Sequence, residues 1–575
     1  MKSVAMCAAA VVGLLGRNAV AQSYNDIPEI EVYGQHFFYT NNGTQLYVSR
    51  PSLPTTSNHA KQPSFLKGVA YQQNYQPNGT QAENTTYTDP LADGTACNRD
   101  IPYLKQIFTN VIRVYAIDPT KNHDDCMEQL AAADIYVIAD LGEPSTSIRS
   151  NDPEWDVTLY RRYTGVVDTL SKYKNVIGFF AGNENVSAGN QTAAAAFVKA
   201  AVRDTKGYIQ SQGYRGTLGV GYATADVPTR DELAAYFACE PADSGNSTQI
   251  DFWGYNVYSW CGDSNYQDSA FGERVDFFSE YPVPVFFAEY GCIEGLEELG
   301  GATRRPFTEV AVLFGNMTEV FSGGIVYEWF MGENDYGLVD LTDDDASVSP
   351  YPDFTSLRSQ LASVTPSPTQ RSDYSASHTA PACPSVGGSW AAAASPLPPS
   401  VNPQLCACMA ANLECNVKSN DADAYGAAFD FICAKNDGDY CTGIQHNATT
   451  GDFGGLSGCD PKDKLAWVAN QYYLGNGKAS SNCDFSGLAT VQKAATSSGC
   501  ENLLQALGTA GTGSVASPTG KGTAAVGTEG AGGTTSTSKA GAGGVYPPGF
   551  VGYGWVIGVG YVVLAGASLM GMLVL

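Results

Sequence analysis

Between residues 65 and 330 the chain repeats one pattern: a short apolar run, turn residues, then a longer stretch with apolar side chains every three or four positions. The runs are FLKGVAYQ (65–72), VIRVYAID (111–118), IYVIADL (135–141), VIGFFAGNE (176–184), LGVGYAT (218–224), DFWGYNVY (251–258), VPVFFAEYG (283–291) and GGIVYEWF (323–330). A strand that is apolar on both faces must be covered on both, as strands of a parallel sheet are by their crossover helices. Stretches between the runs, such as AAAAFVKAAVRDTKGYIQSQG, have the period of amphipathic helices. Eight such units in about 290 residues predict an α/β fold, a (β/α)8 TIM barrel. An open doubly wound sheet is the alternative, but no G-x-G-x-x-G follows the first run.

A closing helix is expected over Asp353–Leu361, and the composition then changes repeatedly. The expected division is a signal peptide at 1–21, the barrel domain at 22–362, and a Pro/Ser/Ala-rich linker at 363–400. A small cysteine-rich module at 401–500, a Ser/Gly-rich stalk at 501–544 and an apolar tail at 545–575 follow. Lys2, the apolar stretch Val4–Leu15 and the small-x-small Ala19-Val20-Ala21 make up the leader. Small residues around Ser538–Gly544 before the tail match a signal for a GPI lipid anchor, removed on attachment; a tail-anchored membrane helix is the alternative. Of 15 cysteines Cys7 lies in the leader, which leaves an even number, and those from Cys406 to Cys500 are dense enough for a disulfide-stapled module in an oxidising compartment. Irregular spacing and scarce histidine argue against zinc there. Sequons at Asn42, Asn78, Asn84, Asn246, Asn316 and Asn447 fit a glycosylated surface protein. A formal net charge of -26 repels phosphate backbones, so nucleic acid is not an expected partner, whereas neutral polysaccharides meet no such barrier.

Barrels of this kind carry their sites at the carboxyl ends of the strands. Run four ends in Asn183-Glu184 and run seven in Glu289-Tyr290-Gly291, so two glutamates are expected on opposite sides of one cleft. A lone strand-end glutamate often caps a helix or pairs with arginine; a pair matches the needs of glycoside chemistry. One carboxyl delivers a proton to the leaving oxygen, and the other, ionised, attacks the anomeric carbon when the two stand roughly 5–5.5 Å apart. Tyr71-Gln72, Tyr115, Asp140, Tyr258 and Tyr327 also lie at strand ends, with the tyrosines suited to sugar stacking or to ordinary packing. Asp140 and Arg113 are candidates for a structural ion pair near the barrel axis.

The segments RVYAIDPTKNHDDCM, GFFAGNEN, YNVYSWCG, PVFFAEYGC and RPFTEV resemble the fungal cell-wall β-1,3-glucanosyltransferases, the Gas/Gel group of glycoside hydrolase family 72, over about residues 60–340. The cysteine-rich segment is similar to the family 43 carbohydrate-binding module found in a subset of them. The resemblance implies Glu184 as acid/base and Glu289 as nucleophile. Tyr115, the loop Gly142–Ser150 with Glu143 and Ser145, Asn183 and Tyr327 would line the donor side, with Gln72, Asp140 and Tyr258 also facing substrate. Asp226 and Arg230 in YATADVPTRDEL would meet the acceptor, although that loop departs from the family pattern by about one residue before Arg230. Disulfides Cys97–Cys126, Cys261–Cys292 and Cys239–Cys383 are implied as well.

The activity so implied is cleavage of an internal β-1,3-glucan bond and transfer of the new reducing end to the non-reducing end of another chain, with glucan donor and acceptor as partners. No metal or organic cofactor is required. The expected setting is the outer face of the plasma membrane or the cell wall, with the protein a monomer. A retaining endo-β-1,3-glucanase is the alternative enzyme, and a glucan-binding wall protein with an idle barrel the alternative from another class. The formal sequon at Asn185 adjoins Glu184 and is expected to be unmodified; Asn190 stays open. Tyr440, Trp467, Tyr472 and Tyr473 of the module are candidates for a sugar platform or for its core.

Overall fold

A computed structural model describes residues 27–46, 65–73, 87–241, 248–294, 298–299, 302–303, 305–342 and 345–518. The leader, the tail, residues 519–544 of the expected stalk and the sequons at Asn78, Asn84 and Asn246 lie outside the described residues.

All eight apolar runs become strands of one closed parallel barrel: β1 (Leu66–Ala70), β2 (Val111–Val114), β3 (Tyr136–Asp140), β4 (Val176–Asn183), β5 (Gly219–Ala225), β6 (Trp253–Cys261), β7 (Val285–Cys292) and β8 (Phe321–Val326). Closure is made by β8 pairing parallel with β1, Gly323 opposite Leu66. Helices α1 (Gly94–Gln106), α2 (Asp124–Ala132), α3 (Val157–Leu170), α4 (Ala194–Ser211), α5 (Arg230–Ala238), α6 (Phe271–Phe278), α7 (Glu309–Leu313) and α8 (Pro352–Ser363) follow the strands in turn. Acidic caps fix where some begin: Asp93 accepts from the Thr95 and Ala96 amides, and Asp156 from the Leu159 amide.

Two apolar cores result. One lies between strands and helices. The other fills the barrel, where the rings of Phe180, Phe252 and Phe286 pack at 5.3–6.1 Å. Gly254 makes room for this layer, since a Cβ there would stand 2.7 Å from the Phe180 ring. A hairpin, Ile30–Tyr33 with His36–Tyr39, plugs the amino-terminal end by driving Phe37 against Phe252 and Phe286.

The linker is more ordered than its composition suggests. Gln370 bridges Thr44, Arg371 pairs with Glu31 at 3.0 Å, and the Tyr374 hydroxyl accepts from the Gln35 amide, so this segment straps the hairpin in place. Disulfide Cys239–Cys383 ties it to the end of α5, while Cys97–Cys126 links α1 to α2 and Cys261–Cys292 links β6 to β7.

The module is built on α9 (Pro403–Asn412), α10 (Tyr425–Cys433), α11 (Pro461–Gly475) and α12 (Glu501–Leu507), with disulfides Cys406–Cys459, Cys408–Cys500, Cys415–Cys483 and Cys433–Cys441. Trp467 and Tyr473 are core residues; Tyr440 and Tyr472 are half-buried in contact with each other. The module shares the outer core of the barrel. Asp460 accepts from the Thr158 amide and hydroxyl at the start of α3, Phe453 packs on Phe197 of α4, and Asp204 of α4 holds the Val401 amide. Lys464, 5% exposed, pairs with Glu154 at 2.8 Å. Among the described residues no helix is long and apolar enough to cross a membrane.

Lys464→Met leaves the Glu154 carboxylate in this interface without its cation. The variant is expected to lose about 3 kcal/mol of stability, read as a lower thermal midpoint, and Lys464→Met with Glu154→Leu to recover most of it.

Candidate active site

The site begins where the apolar filling of the barrel stops. Arg113 on β2 is fully buried, its guanidinium 4.7 Å above the Phe180 ring and 4.4 Å from the Tyr115 ring. Its Nε and Nη2 donate to both oxygens of Asp140 at the end of β3, at 3.0 and 2.9 Å. Nη2 also donates to Asn183 Oδ1 at 2.9 Å, and Nη1 to Glu289 Oε1 at 3.2 Å. Asn256 on β6 completes the chain, donating to Asn183 Oδ1 at 3.1 Å and to Glu184 Oε1 at 2.7 Å. Both glutamates are thus joined through three side chains at the carboxyl ends of β2, β4 and β6.

This network fixes the Asn183 amide, since its oxygen accepts from two donors. Glu184 follows β4 in a left-handed conformation, φ +52°, with its amide bonded to Ala223 O at 2.9 Å. Strain of this kind costs on the order of 1 kcal/mol and persists where its surroundings enforce it.

The two carboxyls differ in their donors. Glu289 accepts from the Tyr115 hydroxyl at 2.9 Å, the Tyr258 hydroxyl at 2.7 Å and Arg113. Glu184 accepts from the Asn256 amide. Burial raises both groups, Glu289 to about 7, with the neighbouring Glu184 charge adding to the rise and Arg113 opposing it. Burial and the neighbouring carboxyl both disfavour ionising the two groups at once. Three donors, one of them cationic, favour the ionised form of Glu289, and Glu184, with one amide donor, is the better suited of the two to keep a proton.

Other rim residues fall into two groups. Tyr327 stands 6.3 Å from Tyr115 and 6.4 Å from Tyr258, closing an aromatic corner beside Glu289. Tyr336, which the sequence did not single out, extends that corner 5.3 Å from Tyr327. Gln72 and Asp140 are instead spent on the protein. Gln72 accepts from the Tyr115 and Ala116 amides and donates to Thr88 O, and Asp140 gives both oxygens to Arg113. The ion-pair alternative for Asp140 is therefore the geometry displayed.

In the loop after β3, Glu143 binds the Ser145 amide and hydroxyl, Gly142 accepts from Arg162, and Ser150 is half-buried. Asp226, just beyond β5, is held by Arg274, by the Tyr255 hydroxyl at 2.5 Å and by Arg230 at 3.2 Å. It lies a strand away from the chain linking the glutamates, and both Asp226 and Arg230 reach solvent, with side-chain exposures of 22% and 33%. Asn256 and the wider reach of Arg113 were missed in the sequence. A polar residue inside the apolar run GYNVY was the available signal for Asn256.

A closed (β/α)8 barrel with two carboxyls, joined by one chain of side chains, at the ends of its fourth and seventh strands has the layout of a glycoside-bond-breaking enzyme. Residues 19–365 match the glucanosyltransferase family model and residues 413–490 the X8 domain. The chain is 47% identical to a 1,3-beta-glucanosyltransferase of Arthroderma benhamiae, over 85% of each chain. It is 42% identical to 1,3-beta-glucanosyltransferase gas1 of Schizosaccharomyces pombe, over 88% of this chain and 86% of that one. The fold matches a solved Saccharomyces cerevisiae Gas2p mutant in complex with laminaritetraose and laminaripentaose at TM-score 0.70 and 36% identity, covering 84% of this chain and 98% of that chain. The protein belongs to the glucanosyltransferase family, and carries an X8 domain behind its barrel.

Tyr258→Phe removes one donor that favours the ionised form of Glu289. Its titration, followed by NMR of carboxyl-labelled glutamate, is expected to move to higher pH by about one unit, the equivalent of about 1.4 kcal/mol. An unmoved titration contradicts the donor argument.

Proposed function

We propose that the protein is a retaining 1,3-beta-glucanosyltransferase acting by double displacement. Ionised Glu289 attacks the anomeric carbon of an internal β-1,3-linked glucosyl unit while Glu184 protonates the departing oxygen. A covalent glucosyl ester forms on Glu289 and the reducing-end fragment leaves. Glu184, now a carboxylate, takes the proton from the 3-hydroxyl at the non-reducing end of a second glucan, whose oxygen displaces Glu289. The donor chain is thereby joined to the acceptor, and both glutamates return to their starting state.

The observation that carries this reading is the unequal surroundings of the two carboxyls. Glu289 has three donors suited to an anion, and Glu184 has one amide, suited to a group that cycles its proton. With the Asn183 oxygen engaged by Arg113 and Asn256, its amide nitrogen is left to hold the sugar 2-hydroxyl in this reading, a contact that strengthens in the oxocarbenium-like transition state. Tyr115, Tyr258 and Tyr327 supply sugar-facing rings, the loop 142–150 the donor side, and Arg230, steadied by Asp226, the acceptor side. Names and bound oligosaccharides of the relatives support the β-1,3 linkage. The same reading includes export through the 1–21 leader, a GPI anchor replacing 545–575, and a monomer at the outer membrane face or in the wall.

Glu289→Ala and Glu184→Gln are expected to lower turnover by on the order of a hundred- to ten-thousand-fold while still binding laminari-oligosaccharides. With reduced laminari-oligosaccharides as acceptors, the native enzyme should yield products longer than its substrate. Products that are only shorter assign it to the hydrolases, and full activity in either variant rejects the assignment of the pair.

A further inference from the structure

The two loops that flank the Glu184 side of the cleft are fastened to each other by side-chain amides. Asn185, next to Glu184, is 6% exposed, and its Nδ2 donates to Ile148 O at 2.6 Å. Ile148 is itself buried, in the middle of the loop bearing Glu143, Ser145 and Ser150. Six residues further on, Gln191 Nε2 donates to Asn151 Oδ1 at 3.1 Å, while Gln191 Oε1 accepts from the Ser187 amide at 3.0 Å. Asn185 is seated over Gly182, where a Cβ would come 2.2 Å from Asn185 Oδ1. The residue that follows, Val186, has no solvent exposure.

Asn185 is also the asparagine of the sequon Asn185-Val186-Ser187. A glycan would be attached through Nδ2, the same nitrogen that holds Ile148. Glycosylation would leave Nδ2 one hydrogen but place a sugar on a nitrogen already turned toward Ile148 O, and a 6% exposed position has no room for it. Asn190 of the neighbouring sequon is exposed.

We propose that Asn185 is a positioning residue, latching the 142–151 loop to the strand end that carries Glu184, and that this latch is why its sequon stays unglycosylated. The proposal rests on reading Glu184 as the acid/base and the 142–151 loop as part of the donor side. With the latch closed, donor sugars held by the loop are registered against the proton-bearing oxygen. Without it the loop and the acid lose their common reference, and donor binding suffers more than the chemical step.

The test uses the full secreted chain and laminari-oligosaccharides of increasing length. Asn185→Asp keeps the shape and removes the donor; Gln191→Leu cuts the second grip and serves where the first variant folds poorly. Each is expected to raise donor KM, by about tenfold for Asn185→Asp, with a smaller change in kcat and faster hydrogen exchange in 142–151. Unchanged KM and exchange overturn the proposal, as does an equal fall in kcat and thermal midpoint with KM preserved, the mark of a purely structural residue. Peptide mass spectrometry of active native enzyme should find Asn185 bare, and full occupancy there also overturns it. Glu184→Gln is run in parallel. Its inactivity together with an unaffected Asn185→Asp sinks the latch alone, whereas an active Glu184→Gln sinks the underlying assignment.

Discussion

A positive charge with no access to water sits at the mouth of the barrel, and the site is arranged around it. Burying a guanidinium costs several kcal/mol unless its donors are satisfied and its charge is matched. Arg113 meets both conditions with Asp140, Asn183 and Glu289, and with the faces of Tyr115 and Phe180. Burial opposes its charge, but Asp140, Tyr115 and Glu289 outweigh that and hold it above its ordinary range. Each partner comes from a different part of the rim, so satisfying one cation fixes the ends of β3, β4 and β7 relative to β2. The charge count matters too. One cation faces Asp140 and Glu289, so each further ionised carboxyl adds charge that Arg113 does not cancel.

Much of this architecture was legible because the barrel imposes a strong pattern. A strand covered on both faces has nowhere to put a polar side chain except at its end, so Glu184 and Glu289 stood out in FFAGNEN and FFAEYG. The links between them were not legible. Arg113 reaches Glu289 and Asn183 across the barrel, and which residues share a level there depends on strand tilt and register, with shifts between β4 and β5 and between β6 and β7. Asp140 showed the limit from another side: a strand-end carboxylate serves a sugar or a neighbouring arginine equally well until its partner is placed. The linker misled for a different reason. Composition reports what a segment does alone, whereas Arg371 and Tyr374 are ordered by a hairpin more than three hundred residues earlier in the chain.

The X8 module bears on the site through the helices it touches. Asp460 and Lys464 engage the approach to α3, and Phe453 and Val401 lie against α4. Those are the helices that follow the 142–151 loop and the Glu184 loop. Cysteine pairs within the module, four of them in about one hundred residues, supply the rigidity that so small a core lacks. A stiff body packed on α3 and α4 restrains the two loops from behind, as the amide contacts restrain them at the rim.

In the proposed double displacement, the coupling between the glutamates would also account for the change of role that the two half-reactions demand. Burial raises Glu184, and an ionised carboxylate at Glu289 disfavours a second charge beside it, which suits Glu184 to the part of the acid. Formation of the glucosyl ester removes the charge on Glu289. Arg113 and the Asn256 amide then act on Glu184 without opposition from its neighbour, and its affinity for a proton falls as the second half-reaction calls for a base. No side chain has to move and no further group has to enter. The reaction itself resets the acid, provided the two carboxyls stay within electrostatic reach, which is the condition that the buried chain through Arg113, Asn183 and Asn256 maintains.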